Sequence, residues 1–397
     1  MQISFWAGLA WLIYVYAGYP VLLRITGWIR PFKTARQEGY CPPLSVLIAA
    51  HNEAKDIGWK VRETLASDYP AEDLQVLVAS DASDDGTDRI LAEIEDPRFI
   101  FVRMDRRGGK QRALNRLSEL ATGELLLFTD ANTHIAASSA RRMAGYFADD
   151  RVGIVSGVEQ NAKEAHDTAV ASGSRTYLGY EAWVNEAESR LGSVLVCDGS
   201  MFCMRRALFT PLDSDIANDL ETPLRIGAAG FAILFDPALR SLERSTSSLG
   251  EEFARRRRIC AQGLLGMWRL RKQLRGLRLW QFISRKFLRW TAALPIFVSG
   301  VSCACLAHMP FFAAMFIAEC GLLLLALIGG IVCACGKSPA AILALPFYFL
   351  MVHFAAFLGV IDTLRGRRFG VWEQPSRSRG VHAITASEPA AGPAARH

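Results

Sequence analysis

Four long stretches of this chain lack charged residues almost entirely, and they constrain its fold more than any other feature. One covers residues 3–23, and three more lie near the C-terminus at about 291–309, 311–335 and 340–361. About 20 apolar residues suffice for a helix to cross the ~30 Å hydrocarbon core of a bilayer. We therefore predict a transmembrane anchor within residues 1–24 and about three transmembrane helices within residues 291–363.

A cleaved signal peptide is the alternative interpretation of the first stretch. No positively charged residue precedes it, and it is longer than the apolar core of a signal peptide. Basic residues begin only at Arg24, and basic flanks collect on the cytoplasmic side of membranes. We expect a retained anchor whose C-terminal end faces the cytoplasm.

The net charge of +6 comes from 45 Lys and Arg against 39 Asp and Glu. The basic residues cluster beside the apolar stretches, around 24–36 and 255–286, which is typical of membrane proteins. We expect no nucleic-acid partner. Residues 264–290 mix Leu, Trp and Phe with Arg and Lys, which favours an interfacial helix on an anionic membrane surface.

One anchor followed by three spans would place the basic tail at Arg365 and Arg367 outside, against the usual distribution of positive charge. Either one C-terminal block is re-entrant or the rule is broken. Glu319 is the one acidic residue inside these blocks, and it faces either a substrate or a polar packing niche. The Ala- and Pro-rich tail at 376–397 has the composition of a disordered segment.

Residues 41–263 alternate strand-like and helix-like patterns. This order predicts an α/β domain with a mostly parallel sheet and helices on both faces. Ligands bind such sheets at the carboxyl ends of the strands, so the polar residues after each strand are candidate site residues. The predicted strands are 44–50, 74–80, 99–104 and 124–129, and the predicted helices are 57–67, 88–94 and 110–120.

Two strands end in polar clusters, one containing Glu53 and the next containing Asp81. A carboxylate at a strand end can accept hydrogen bonds from a uracil or a ribose. The alternative is a polar turn that caps the following helix. Gly108 and Gly109 open a further helix at Lys110, and backbone N–H groups at a helix start favour phosphate. A solvated basic turn is the alternative there.

The fourth strand leads into Asp130 and Asn132, which alternation places on one face. Their oxygens suit a hard divalent cation that carries a diphosphate, and a polar turn is the alternative. Asp219 opens a later helix and can act as a general base, although acidic residues favour helix starts in any case.

In this order, the elements resemble glycosyltransferase family 2, the inverting enzymes of the GT-A fold. The resemblance covers about residues 43–263 and implies a nucleotide-sugar-binding (Rossmann-like) domain. The flanking spans look like those of membrane members that make polysaccharides and glycolipids. The matching segments are Ala49-Ala-His-Asn-Glu53, Ser80-Asp-Ala-Ser-Asp-Asp-Gly-Thr87, Gly108-Gly-Lys-Gln-Arg-Ala-Leu-Asn115, Phe128-Thr-Asp-Ala-Asn-Thr133, Val196-Cys-Asp-Gly-Ser-Met201 and Asn218-Asp219.

The resemblance implies a role for each matching residue. Asp219 would be the catalytic base and Asp81 would bind uridine, while Asp130 would hold Mg²⁺ or Mn²⁺ together with Asn132. The remaining residues implied in nucleotide-sugar binding are Glu53, Lys110 and Arg258.

Two departures from the family pattern matter. The metal motif often has a second Asp where this chain has Asn132, and no Trp follows Arg258 as in processive synthases. The first departure removes a negative charge, and the second favours one or a few transfers.

The resemblance implies a transferase that moves a sugar from a UDP-sugar to a lipid-linked or saccharide acceptor with inversion, in exopolysaccharide or glycolipid biosynthesis. It would be a multi-pass protein of the bacterial inner membrane with a cytosolic catalytic domain. Membrane lipids and other polysaccharide-assembly proteins are the further partners expected. One alternative is a non-catalytic scaffold that retains a nucleotide pocket. Another is a binder of cyclic dinucleotides or anionic lipids through the arginines at 255–258.

Overall fold

The computed structural model describes residues 1–161, 169–213, 216–243, 249–337, 339–367 and 369. The tail predicted to be disordered at 376–397 lies outside these residues. Within them, one mixed sheet forms the centre of an α/β domain. Its strands are β1 (Leu44–Ala50), β2 (Leu74–Ser80), β3 (Phe99–Arg103), β4 (Leu125–Asp130), β5 (His134–Ile135), β6 (Val152–Asn161), β7 (Met201–Arg205) and β8 (Ala232–Glu243).

The sheet has the order β3-β2-β1-β4-β7-β6-β8-β5. The first four strands in this order are parallel, as predicted. β7 is antiparallel to both β4 and β6, β8 is parallel to β6, and β5 pairs antiparallel with β8. The α/β class is confirmed, but the mostly parallel arrangement holds for only half of the sheet. The other half pairs strands that are distant in sequence, which a local pattern does not reveal.

Fourteen helices surround the sheet or extend from it in the described residues. They are α1 (Gln2–Ile13), α2 (Tyr19–Ile29), α3 (Ile57–Leu65), α4 (Thr87–Ala92), α5 (Lys110–Leu120), α6 (Ser139–Ala144), α7 (Ala169–Ser189), α8 (Asn218–Ala228), α9 (Leu249–Leu270), α10 (Gly276–Phe282), α11 (Leu288–Trp290), α12 (Ala293–Cys305), α13 (Pro310–Ala334) and α14 (Ala341–Leu364).

β1 shows why these residues form a central strand. All seven of its residues are buried, as expected when both faces of a parallel sheet are covered. Val46 and Ile48 face the core on the α3 side with Ile57, while Leu47 faces the opposite core with Leu117 of α5. Alternate side chains of β1 therefore pack into two separate hydrophobic cores, one on each face of the sheet.

Three helical segments are long and apolar enough to cross a membrane: Gln2–Ile29, Pro310–Ala334 and Ala341–Leu364. A fourth candidate is the pair Gly276–Trp290 and Ala293–Cys305, which is bent by 54°. The block predicted as a span at 291–309 is therefore not an independent spanning helix. Its 13 helical residues reach only about 20 Å at 1.5 Å per residue.

The N-terminal helices lie antiparallel along this bent pair. The Gln2 amide donates to the Met309 sulfur at 3.3 Å, and the Trp11 indole donates to the Leu288 carbonyl at 3.0 Å. The Tyr14 and Ser284 hydroxyls are 2.7 Å apart. These contacts join the two ends of the chain into one helical layer.

Three cations at the end of the predicted interfacial region are buried inside the protein. Arg285, Lys286 and Arg289 are 2%, 7% and 7% exposed. Arg285 pairs with Glu188 at 2.5 Å and with Glu181 at 2.8 Å, and Arg289 also pairs with Glu181. For these residues the expected contact with lipid head groups needs correction, because they are buried and pair with carboxylates on α7. The interfacial role of the other residues at 264–290 stays a prediction.

We expect Glu188→Ala to destabilise the protein strongly. Glu188 is fully buried and also accepts hydrogen bonds from the Tyr19 hydroxyl and the Leu195 amide. Removing one partner of a buried ion pair costs about 3–5 kcal/mol. The thermal unfolding midpoint in detergent should therefore fall by several degrees.

Glu186→Ala is the matched control, since Glu186 lies on the same helix and forms an exposed pair with Arg190. Equal midpoints for the two variants would contradict a structural role for the buried pair.

Candidate active site

A cleft lies where the parallel strands end and two helices begin. Asp81 directly follows β2, Asp130 is the last residue of β4, and Lys110 is the first residue of α5. Asp219 stands in the first turn of α8. Strand ends and helix starts thus bring together residues that lie far apart in sequence.

Asp81 holds the glycine turn in front of α5. The Gly108 N–H donates to Oδ1 of Asp81 at 2.8 Å, and the Gly109 N–H donates to Oδ2 at 2.7 Å. Gly109 adopts φ +85°, a backbone conformation that favours glycine. The phosphate site predicted from these amides needs correction, because both amides already donate to a carboxylate that is 4% exposed.

The loops after β1 and β2 are joined by hydrogen bonds. The Asn52 N–H donates to the Ser83 hydroxyl at 3.1 Å, and the Asp84 N–H donates to the Asn52 side chain at 3.0 Å. Asn52 and Ala82 have φ of +57° and +54°, a strained region for residues other than glycine. Glu53 is 1% exposed and its N–H donates to the Thr87 hydroxyl. The hydrogen bonds offset the strain and fix the shape of the strand ends.

Lys110 places a cation beside the end of β4. Its ammonium pairs with Asp130 and also donates to the Gly199 carbonyl at 3.2 Å. Burial opposes the charged form of Lys110, but Asp130, Asp219 and Glu243 together outweigh it, so the pKa of Lys110 is raised. The ammonium therefore stays protonated, and its charge can neutralise an anionic ligand.

Asp219 lies near this ion pair, since it and Lys110 both contact Gly199. Its carboxylate packs on Gly199, where an added Cβ would lie 3.4 Å from Oδ2. Its carbonyl accepts the Cys197 N–H at 2.9 Å. Burial raises the pKa of Asp219, and Lys110 and Lys286 partly offset this effect. A raised pKa makes the ionised carboxylate a stronger base than an ordinary aspartate.

Three further carboxylates border the cleft, and the sequence analysis missed them. The Asn132 amide donates to Glu243 at 3.1 Å, and Glu159 pairs with Arg255 at 3.6 Å. Burial, followed by repulsion from Glu159, raises the pKa of both Asp198 and Glu243. These residues come from β6, β8 and the segment before β7; Asp198 lies in the matching segment at 196–201, whereas no quoted motif contains Glu159 or Glu243. Glu243 places a carboxyl group beside Asn132, but its pKa, raised to about 8, favours the neutral acid near pH 7.

The arginine run on α9 divides among separate partners. Arg255 pairs with Glu159, Arg256 with Glu252 and Arg257 with Asp362. Within this run, Arg255 forms its described ion pair with a carboxylate that borders the cleft, Glu159. Arg258 follows one helical turn later on α9, and its predicted part in nucleotide-sugar binding stays a prediction. Internal pairing of three arginines weakens the hypothesis of a separate polybasic binding site.

Comparison with known proteins finds similarity to one family over part of the chain. Residues 45–211 match the family described as Glycosyl transferase family 2. The chain is 28% identical over 213 residues to a beta-monoglucosyldiacylglycerol synthase of Trichormus variabilis, covering 51% of this chain and 45% of the relative. It is 29% identical over 217 residues to an N-acetylglucosaminyltransferase of Rhizobium meliloti, covering 49% and 50%. The chain thus spans about half the length of the curated relatives it matches.

A solved structure shares the fold over most of the chain. It is a mannosyltransferase from Pyrobaculum calidifontis in complex with GDP-Man and Mn²⁺. The TM-score is 0.67 at 21% identity, and the match covers 91% of this chain and 98% of the other. The fold of this protein is therefore of the GT-A type.

We expect Asp81→Asn to loosen the glycine turn. An amide cannot accept from both backbone N–H groups as a carboxylate does, and hydrogen bonds to charged groups contribute about 1.5–3 kcal/mol. Hydrogen exchange at the Gly108 and Gly109 amides should accelerate roughly ten- to hundredfold. Asp84→Asn, in the same loop but exposed, is the control. Unchanged exchange in the Asp81 variant would show that the carboxylate does not hold the turn.

Proposed function

On the premise that the chain carries a glycosyl transferase family 2 domain at residues 45–211, we propose that it is a membrane-bound hexosyltransferase. It transfers a sugar from a UDP-sugar to a lipid-linked or saccharide acceptor, with inversion at the anomeric carbon. The observation that carries this proposal is the convergence of Lys110, Asp130 and Asp219 around Gly199. A cation for the diphosphate and a base for the acceptor then both lie beside Gly199.

The reaction is a direct displacement. An acceptor hydroxyl attacks the anomeric carbon and forms the new C–O bond, while the C–O bond to the nucleoside diphosphate breaks. The electron pair leaves with the diphosphate, and the proton passes to Asp219. Attack from the face opposite the leaving group inverts the anomeric configuration. Lys110 neutralises charge on the departing diphosphate.

The oxygen donors in the cleft fit Mg²⁺ or Mn²⁺. Asp130 offers a carboxylate, and because Asn132 donates its amide N–H to Glu243, its carbonyl oxygen is oriented as an acceptor. Within the described residues no three His, Cys, Asp or Glu side chains are grouped to hold a metal by themselves. That is compatible with Mg²⁺, which is usually bound by one or two carboxylates plus substrate phosphates and water. The bound cation would stabilise the charge of the leaving diphosphate.

We further propose that the catalytic domain is cytosolic and that the protein works at the bacterial inner membrane in exopolysaccharide or glycolipid assembly. The candidate spans support a membrane location, and the names of the relatives support a sugar or glycolipid product. Without a Trp after Arg258, we favour one or a few transfers over long-chain synthesis.

Asp219→Asn should abolish turnover while nucleotide binding persists. Loss of a general base lowers the rate by about 10²–10⁴-fold. The measurement is UDP release by the purified protein, with a panel of UDP-sugars, Mg²⁺ or Mn²⁺ and bacterial lipid extract. Asp213→Asn, an exposed residue just before α8, is the control and should retain activity.

Full activity of the Asp219 variant would overturn its role as the base. UDP binding without release for every donor would favour the alternative of a non-catalytic scaffold.

The acid limb of kcat/KM should lie above the pH at which an ordinary aspartate titrates. The base must be ionised, and because its pKa is raised, activity is lost as pH falls through that raised value. Lys110 holds this pKa down, so Lys110→Gln should move the limb to higher pH, whereas Lys110→Arg should leave it in place. A limb that stays fixed in the Gln variant would contradict the coupling.

A further inference from the structure

A second cavity, of about 690 Å³, lies between the helical layer and the catalytic domain. Its volume is within the range of ligand pockets, roughly 300–1,000 Å³. Most of its wall is apolar and comes from helices of spanning length, including Leu322 and Leu323 of α13 and Leu345 and Phe349 of α14. Such a wall suits a hydrocarbon chain and is poorly suited to water.

The end of the cavity nearest the catalytic domain is cationic. Arg256, Lys286 and Arg289 line it together with Tyr177. The Arg289 guanidinium donates to the Tyr177 hydroxyl at 2.7 Å, and Arg256 lies 4.2 Å from the centre of the same ring. The positive groups therefore converge on one aromatic side chain at the mouth of an apolar space.

In the described ion pairs at this end the cations outnumber the carboxylates, and Asp219 acts on Lys286 outside these pairs. Four cations form described ion pairs here: Arg285 and the three lining residues Arg256, Lys286 and Arg289. Their partners are three acids. Glu181 pairs with Arg285, Lys286 and Arg289, Glu188 pairs with Arg285, and Glu252 pairs with Arg256. Within these described pairs one positive charge is in excess, which favours an anionic group at this end of the cavity.

The same end adjoins the catalytic base. Trp290, which lines the cavity, and Leu220, next to Asp219 in the chain, both pack on Gly263 of α9. Lys286 is close enough to Asp219 to lower its pKa against the effect of burial. A head group at the cationic end would therefore extend toward Asp219.

One acidic residue, Glu319, lies in the described lining, and its carboxylate accepts the Ser299 hydroxyl at 2.6 Å. Ser299 and Gly300, on α12, also line the cavity. Ser299 and Glu319 belong to the helices of the membrane layer. They do not change the positive charge at the end of the cavity nearest the catalytic domain.

We propose that this cavity is the acceptor site and that the acceptor is a lipid-linked saccharide with a phosphate link. The hydrocarbon chain occupies the apolar part, the phosphate lies at Arg256, Lys286 and Arg289, and a sugar hydroxyl reaches Asp219. This inference rests on the proposed transferase function. It adds no step to the displacement, because the hydroxyl oxygen forms the bond to the anomeric carbon and its proton goes to Asp219.

Gly300→Leu tests the chain site, because it fills the cavity at little cost to packing. A Cβ at Gly300 would meet only the Glu319 carboxylate, at 3.6 Å. Gly321→Leu is the matched control: a Cβ there meets nothing within 4 Å, and Gly321 is exposed on α13 outside the described lining.

The probe is farnesyl diphosphate, titrated into the full-length protein in nanodiscs and followed by tryptophan fluorescence. Gly300→Leu should weaken its binding at least about tenfold, and Gly321→Leu should not. Lys286→Gln should weaken it as well. Farnesol, which lacks the charge, and inorganic diphosphate, which lacks the chain, should each bind about tenfold more weakly than the probe.

Equal affinity of the two glycine variants for the probe would overturn the chain site, and farnesol binding as tightly as the probe would overturn the anionic head group. UDP affinity is measured on the same samples. If it is intact in Gly300→Leu while the probe is lost, the cavity is separate from the nucleotide cleft. If UDP fails to bind the unsubstituted protein, the proposed function fails, whatever the probe does.

Discussion

The buried ion pairs between α7 and the segment at 285–289 determine how the two parts of this protein fit together. A buried charge is tolerated only when it is paired, so Glu181 and Glu188 fix the positions of Arg285 and Arg289. Because α7 packs against the catalytic sheet and the arginines lead into the apolar helices, this cluster joins the domain to the membrane layer. The cationic end of the cavity follows from the same pairs.

The cleft depends on a different constraint, the common edge at which parallel strands end. Asp81 uses both carboxylate oxygens to hold the turn before α5, and this turn sets the start of the helix that carries Lys110. Lys110 then joins the end of β4 to the Gly199 segment, against which Asp219 packs. The candidate base and the cation are therefore positioned by backbone geometry as much as by their own side chains.

Donor and acceptor would approach this cleft from different environments. The proposed nucleotide site is polar and lies at the strand ends, whereas the cavity is apolar and lies between helices of spanning length. Lys286 lies between them, since it lines the cavity and acts electrostatically on Asp219. A transferase that joins a water-soluble donor to a membrane-held acceptor needs such a meeting point, and this arrangement provides it without moving either substrate out of its preferred solvent.

The sequence by itself determined what depends on neighbouring residues: the limits of β1, β2 and α5, the apolar helices, the polar strand ends that carry Asp81 and Asp130, and the acidic start of α8 at Asp219. These follow from periodicity and from turn chemistry, which act over a few residues. Only the tertiary structure decided that β6, β7 and β8 form a partly antiparallel half-sheet, that Glu243 stands beside Asn132, and that Arg285 and Arg289 are buried. Each of these outcomes needs a partner about 50 to 110 residues away, and a local pattern carries no information about that pairing.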